Sequence, residues 1–448
     1  MDVQLLKKYD VPVPRYTSYP TVPLWDTEHT DADRWMEHVQ MSFAKNKEIS
    51  LYIHLPYCEA LCTYCGCNKH ITKNHLVEVP YVNAVLKEWK MYTSRLSEKP
   101  LIREIHLGGG TPTFFAPENL QKLIEGLLAD AEVAERHDFS FEAHPNSTTY
   151  EHLATLRKLG FNRVSIGVQD FDAEIMRIIN RFQTIEEIRK VTLQARELGY
   201  TSINFDLIYG LPRQTAEHIA TNLALLKEML PDRIAFYSYA HIPDVKKAQR
   251  AYSEADLPMG TEKLNLYLQG KVGLEKLGYK DIGMDHFALP GDELYQSFEN
   301  GKLHRNFMGY TPFHTNLCIA LGASSISDSW TAYAQNEKTV KEYLLRIKNE
   351  DMPPIIKTHF LTEEDQELRR KILNLICHDE TNWFDNRSAF SFEMQTKFLA
   401  MEADGLIKVF PHQIKVTQKG KNFIRNICRV LDARMDRHQK KVTFSKAV

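Results

Sequence analysis

Between Ser50 and about residue 288, short apolar runs alternate with stretches of helical periodicity, and this alternation constrains the chain more than any other feature. Strands are expected at 50–55, 103–107, 138–143, 162–167, 201–208 and 232–238, with helices between them. One helix, near 117–129, places Leu120, Leu123, Ile124 and Leu127 on one face behind Pro117 in its first turn. Another opens with a capping box, Thr184 with Glu187. It carries Ile185, Ile188, Val191, Ala195 and Leu198 and stops at Gly199. Successive strands joined through helices pair in parallel, so six such units predict an α/β fold built as an open or partial (β/α)6 TIM-type barrel. A doubly wound sheet is the structural alternative.

Polar residues recur where these strands end. Strand two runs into Gly108, Gly109, Gly110 and Thr111, and strand three ends at Glu142. Strand four leads to Gln169, strand five carries Asp206, and strand six leads to Ala240 and His241. In a parallel sheet these positions share one mouth, where α/β folds place their active sites. Each residue alone has a plainer reading. GGGTPT fits a tight turn, and the lysine that a Walker phosphate cradle needs is absent. A lone Glu142 or Asp206 fits a hydrogen-bonded interior carboxylate.

The loop after the first strand holds four of the seven cysteines. Residues 50–69 read SLYIHLPYCEALCTYCGCNK, with Cys58, Cys62, Cys65 and Cys67 crowded behind Pro56. The other three cysteines are scattered and no signal peptide's apolar core precedes them, so a disulfide framework does not fit and a metal does. Four close cysteines are compatible with structural zinc. The C-x3-C-x2-C spacing instead wraps one short loop around one face of a larger object such as an iron-sulfur cluster, and three ligands would leave one iron open to a substrate or cofactor.

The chain's 448 residues exceed one ordinary domain, and its formal charge of -2, with both signs mixed throughout, offers no general attraction to nucleic acid or membrane. No window approaches a membrane span, which leads us to expect a soluble, cytoplasmic protein. Three regions are expected: an extended N-terminal arm over 1–48, the barrel with its substrate wall over 49–355, and a small C-terminal helical capping domain over 356–448. The arm contains PRYTSYPTVPLWD, Pro14 to Asp26, with three prolines and three aromatics. Residues 279–330, with LHRNFMGYT and GASSIS, read as loop-rich and aromatic; Cys318 and Cys377 read as small buried residues. The paired prolines of DMPPIIKTHF mark the second boundary. Beyond it, Thr362 caps a helix with Leu368, Ile372, Leu375 and Ile376 inward, and another helix ends at Gly405. LIKVF and QIKVT form a hairpin, and Thr417 caps a last helix carrying Ile424 and Ile427. This is winged-helix-like, and Lys408, Lys415, Lys419, Lys421 and Arg425 admit a metal-stabilised DNA binder as an alternative, though acidic residues upstream leave no strong basic stripe.

The C-x3-C-x2-C run is the signature of radical S-adenosylmethionine (radical SAM) enzymes. LCTYCGCNK, RYTSYPT, EAHP, SIGVQDF, INRFQ, DLIYGLP and KGKNFIRNIC together resemble the oxygen-independent coproporphyrinogen III oxidase family along nearly the whole chain. The resemblance implies that Cys58, Cys62 and Cys65 hold a 4Fe-4S cluster while Cys67 does not. It implies that Tyr52, Gly109 and Glu142 contact one SAM, and that Tyr64, Gly110, Thr111, Gln169, Arg181, Asp206, Ala240 and Ile326 line a second SAM site. Arg15 and Tyr16, on an arm that would lie over the active site, and His304 with Arg305 become candidates for substrate contact. His144 departs from the pattern, since relatives often carry Asp or Asn there. The implied activity is anaerobic decarboxylation of two propionates of coproporphyrinogen III to vinyl groups, through a 5'-deoxyadenosyl radical, by a monomer served by a flavodoxin- or ferredoxin-type electron donor. Haem-binding and haem-trafficking relatives, the nearest alternative, usually carry an aromatic at the position of Cys67 and lack the RYTSYPT arm.

Overall fold

The computed structural model describes residues 3–26, 29–382, 392–437 and 444. Six parallel strands form its centre: β1 (Glu48–Leu55), β2 (Leu101–Gly109), β3 (Glu132–Ala143), β4 (Arg163–Gln169), β5 (Ser202–Tyr209) and β6 (Arg233–Ser238). Each pairs in parallel with the next, so their spatial order follows the chain without reversal. A doubly wound sheet must reverse its order at a switch point. Right-handed crossovers that never reverse place every helix on one face and leave the other to curl around an interior. The partial barrel is therefore the observed fold.

The sheet extends beyond the six strands on both sides. Past β6 lie the short antiparallel strands β7 (Lys280–Gly283) and β8 (His286–Ala288), with β8 next to β6. On the far side of β1, β9 (Leu317–Leu321) adds a further parallel strand, followed by antiparallel β10 (Ile326–Asp328), β11 (Ala332–Asn336) and β12 (Ile355–Phe360). Residues 279–330 are thus not loop-rich as the sequence suggested. These strands are three to five residues long and β9, which contains Cys318, is buried at every position, so no alternation of polarity marks them. The boundary expected after residue 355 falls inside β12, because the paired prolines precede a strand that still belongs to the main sheet.

The helices follow their sequence signals. Thr184 and Glu187 cap Ile185–Glu197 reciprocally, and Gly199, with φ +81, lies just past its end. Helix Ala32–Lys45 buries Trp35, Met36, Val39 and Phe43 in the main core, so this part of the expected arm is packed on the barrel.

A second hydrophobic core joins Leu5, Tyr9, Tyr16 and Tyr19 to Leu368, Ile372, Leu375, Phe423 and Ile427, and to Ile282 and Tyr310 from the barrel side. The N-terminal arm therefore threads between the barrel and the C-terminal residues. Arg305 Nη1 donates to the carbonyls of Arg15 and Tyr16 at 3.0 and 2.9 Å, Arg425 Nε donates to Pro14 at 3.1 Å, and Tyr16 donates to the buried Asp432 at 3.0 Å. Thr362 caps helix Glu363–His378 through a reciprocal box with Asp365, as expected. The hairpin Ile407–Val409 with Gln413–Val416 gains a third strand, Glu380–Asn382. Thr417 accepts from Gly420 N at 3.0 Å and so caps a 3-10 turn, Gly420–Phe423, that leads into helix Ile424–Val430. Lys415 pairs with Glu380 and Lys421 with Asp379, which offsets much of this region's positive charge.

Candidate active site

The cysteine loop is closed at its base. Tyr57–Cys58 pairs with His70–Ile71, through His70 N to Pro56 O at 2.7 Å and Thr72 N to Cys58 O at 2.9 Å. The turn after β2 clamps the same base, since Gly110 N donates to Leu55 O at 2.8 Å and Thr111 N to Tyr57 O at 2.9 Å. A Cβ on Gly110 would sit 2.5 Å from the Pro56 carbonyl carbon, and one on Gly109, at φ +112, would lie 2.4 Å from the His54 ring. Gly110 is needed because backbone packs on backbone there, and Gly109 because its left-handed φ and the His54 ring leave no room for a side chain. Thr63 N to Ile179 O (3.0 Å) and Asn180 Nδ2 to Leu61 O (2.7 Å) hold the loop's tip.

Cys58, Cys62, Cys65 and Cys67 all line one cavity of about 470 Å3 at the C-terminal ends of the strands. Among the described residues no three His, Cys, Asp or Glu side chains gather as a site for a single ion. A multi-iron cluster, whose irons each take a different thiolate, does not ask for that convergence. The donor set suits it. Cys67 beside it and Lys69 nearby draw the Cys65 thiol down to about 5, whereas burial pushes Cys58 up to about 11. Arg181 Nη1 lies 3.8 Å from Cys62 Sγ, and Thr111 Oγ1 lies 3.3 Å from Cys58 Sγ.

The same cavity is lined by Tyr64, Gly109, Gly110, Thr111, Glu142, Gln169, Arg181 and Asp206, all anticipated from the sequence. Glu142 accepts from Gly109 N at 3.1 Å and faces His106 Nε2 at 3.6 Å, which leaves carboxylate lone pairs open to the cavity. Arg181 is buried, donating to the Gly167 carbonyl and to Gln183 Oε1 (2.9 Å), with Nη1 3.4 Å from the Tyr64 hydroxyl. Gln169 reaches the wall at φ +68, a left-handed backbone that only a firm surrounding sustains. Asp206 accepts from Ser165 Oγ (3.0 Å) and Asn204 Nδ2 (2.9 Å), and burial, with Glu142 nearby, pushes its carboxyl up to about 7.

Other expected residues lie elsewhere. Tyr52 is behind the wall, its hydroxyl 3.1 Å from His54 Nδ1 and its ring stacked on His106. Ala240 and Ile326 do not line the cavity: the Ala240 carbonyl accepts from Gln249, and Ile326, at the start of β10, packs beside Trp25 and Tyr333. Arg15 pairs with Asp285 at 2.7 Å next to Tyr237, which does line the cavity. Tyr16 and Arg305 are committed to docking the arm, and His304 packs against His314 and Trp330. These last three do not line the cavity, and their polar atoms or rings are engaged in joining chain segments.

His144, noted in the sequence only as a departure from the family pattern, also lines the cavity, and so do His106, Arg163, Ser165, Asn204, Arg233, Tyr237 and His286, which the sequence did not single out. Three of them stand two or four residues before an anticipated position on the same strand: His106 before Gly108, Ser165 before Gln169 and Asn204 before Asp206. The period-two rule applied backward along each strand finds them. At the cavity's lower end Arg163 pairs with Asp138 (3.0 Å) and Arg233 with Asp292 (2.7 Å).

Residues 52–226 match the radical SAM superfamily. The chain is 37% identical over 442 residues to the oxygen-independent coproporphyrinogen III oxidase of Pseudomonas aeruginosa, covering 96% of this chain and 95% of that one. It is 37% identical to the Escherichia coli protein of the same name over 454 residues, covering 100% and 98%, and 33% identical to that of Synechocystis over 457 residues, covering 99% and 97%. The solved structure of the coproporphyrinogen III oxidase from Escherichia coli, described as a radical SAM enzyme, superposes with a TM-score of 0.89 at 35% identity, covering 96% of this chain and 98% of that one.

Proposed function

The chain belongs to the oxygen-independent coproporphyrinogen III oxidase family of radical SAM enzymes, and from that premise we propose which of its residues carry each part of the work. The reaction is the oxidative decarboxylation of coproporphyrinogen III in haem biosynthesis. When bound, a 4Fe-4S cluster and SAM supply a one-electron route for taking hydrogen from an unactivated propionate carbon.

Cys58, Cys62 and Cys65 hold the cluster, and Cys67, beside Cys65, tunes it. Glu142 accepts from the ammonium or ribose hydroxyls of SAM, and Tyr52 supports that wall through His106. Arg181, fixed by Gly167 and Gln183, offers its remaining donors to a carboxylate near Tyr64. Asp206, Gln169, Gly110 and Thr111 serve a second SAM, with Ala240 and Ile326 at its margin. The arm and the C-terminal residues close over the interior, which keeps water and oxygen from the reacting carbon. A flavodoxin- or ferredoxin-type protein supplies electrons to a cytoplasmic monomer, with no nucleic acid or membrane involved. In support, no helix among the described residues is long and apolar enough to cross a membrane.

One observation carries this reading: the clamped cysteine loop and the carboxylate and guanidinium of Glu142 and Arg181 share one cavity. The test is anaerobic turnover of reconstituted protein with coproporphyrinogen III, SAM and dithionite, following porphyrin products and 5'-deoxyadenosine, with Cys62→Ser alongside. Doubly decarboxylated product that vanishes in the variant is expected. SAM cleavage without porphyrin change, or tight haem binding without cleavage, would overturn the assignment.

A further inference from the structure

An electron must reach the cysteine loop from outside, and the loop's outer surface carries features that the reaction itself does not use. Lys246 Nζ donates to the carbonyl of Gly66 at 2.7 Å. On the other flank Asn68 Nδ2 donates to the Lys338 carbonyl at 2.7 Å, which sets the exposed Lys338 beside the loop. Lys357 lies near it, and burial first and the charge of Lys338 second lower that ammonium's proton affinity. Lys246 follows β6 and Lys338 follows β11, strands on opposite sides of β1, so the fold brings cations from two distant segments around one loop. Lys73, just past the strand that pairs with Cys58, and Lys247 are also exposed.

None of these five lysines forms an ion pair with a carboxylate among the described residues. The surface acids near them are Glu59, which faces His75, Asp244 and Glu337, which accepts backbone amides. Apolar side chains stand exposed between the lysines: Leu61 at 39%, Ile71 at 41% and Val245 at 64%. The whole chain has a formal charge of -2 and would not draw an acidic partner. Fields are screened within about 10 Å at ordinary salt, so the local ring of charge decides which surface is met.

Resting on the proposed cluster at Cys58, Cys62 and Cys65, we propose that this lysine collar with its apolar centre is the docking surface for a small acidic one-electron carrier protein. Each docking oxidises the carrier by one electron and reduces the centre behind the loop by one. The mixed character suits a transient complex, in which charge orients the partner and a small apolar contact excludes water along the electron's path.

The test compares wild type with the triple charge reversal K73E/K247E/K338E. These side chains form no hydrogen bond that holds the loop. The probe is an acidic flavodoxin, and two quantities are read: equilibrium binding to the reconstituted protein, and turnover driven by reduced flavodoxin or by dithionite. Wild-type binding is expected to weaken on the order of tenfold between about 50 and 300 mM salt. The variant is expected to bind about tenfold more weakly at the lower salt, with flavodoxin-driven turnover reduced in step and dithionite-driven turnover unchanged. Unchanged binding and rate in the variant would overturn the proposal. So would a raised KM for coproporphyrinogen III under dithionite, which would assign the lysines to the substrate's carboxylates. Wild type that fails to turn over with dithionite would count against the proposed reaction, while the binding comparison would still decide the surface.

Discussion

Replacing Glu88 by Gln tests how the barrel supports its cysteine loop. Glu88 lies on helix Glu78–Thr93 and is fully buried. Its carboxyl accepts from Gly322 N (2.8 Å), the Tyr343 hydroxyl (2.7 Å) and Asn336 Nδ2 (2.5 Å). Beside it Tyr81 donates to His54 O and accepts from Ala323 N, both at 2.9 Å. This network joins the end of β9 to β1 shortly before the cysteines. Burial is the largest influence on Glu88 and pushes it up to about 7, against an ordinary value near 4.5. A carboxyl raised in the folded state holds its proton more tightly there than in the unfolded chain. Its stabilising contribution is therefore full below about pH 4.5 and is lost as pH rises through 7. The whole window corresponds to roughly 3 kcal/mol, of which about 2 kcal/mol falls between pH 5 and 7.5. Gln cannot titrate, and its amide faces the Asn336 amide donor-to-donor at a fixed cost of about 1–3 kcal/mol. Urea unfolding of identically prepared wild type and E88Q at pH 5, 6 and 7.5 should show the wild type's advantage shrinking by about 2 kcal/mol toward high pH. A gap that stays constant over that range would refute the reasoning, because the buried carboxyl would then be ionised throughout.

Iron and acid-labile sulfide should fall to background in Cys58→Ser, Cys62→Ser and Cys65→Ser but persist in Cys67→Ser; equal loss in the last would make Cys67 a ligand. Glu142→Gln should weaken SAM binding about tenfold by equilibrium dialysis with iron content unchanged, since it removes a charged acceptor. Gly110→Ala puts a methyl 2.5 Å from the Pro56 carbonyl carbon, so the loop's base must shift. Its iron loading and melting temperature should both drop, with a stability loss of about 1–3 kcal/mol. Arg305→Ala removes the donors to the Arg15 and Tyr16 carbonyls and should expose the arm to limited proteolysis near residues 10–20 while the barrel stays intact.

Much of the molecule could be read from local chemistry. The six central strands are long enough, and their helices well enough capped, for periodicity to place them; that their order in space never reverses, which separates the barrel from a doubly wound sheet, was decided only by the pairing itself. The Cys58–Cys67 run and the strand-end positions Glu142, Gln169 and Asp206 were visible because chemistry in parallel α/β folds gathers where strands end. The short strands β7 to β11 were not visible. Runs of three to five residues are too short to carry a clear alternating signal, and only pairing with a neighbour made elsewhere in the chain decides that they are strands.

What the sequence determined by itself was the kind of chemistry, because ligand type and spacing are local properties of one loop. Which polar side chains serve that chemistry was decided by tertiary structure. Tyr16 and Arg305 looked like substrate contacts beside their motifs, but their hydroxyl and guanidinium bind Asp432 and the arm's backbone. His106, unremarkable in sequence, stands at the cavity wall between Tyr52 and Glu142. The lysines around the cysteine loop come from segments nearly three hundred residues apart. A side chain's role depends on what lies within a few ångströms of it, and for residues so far apart along the chain only the closing of the sheet brings them that near.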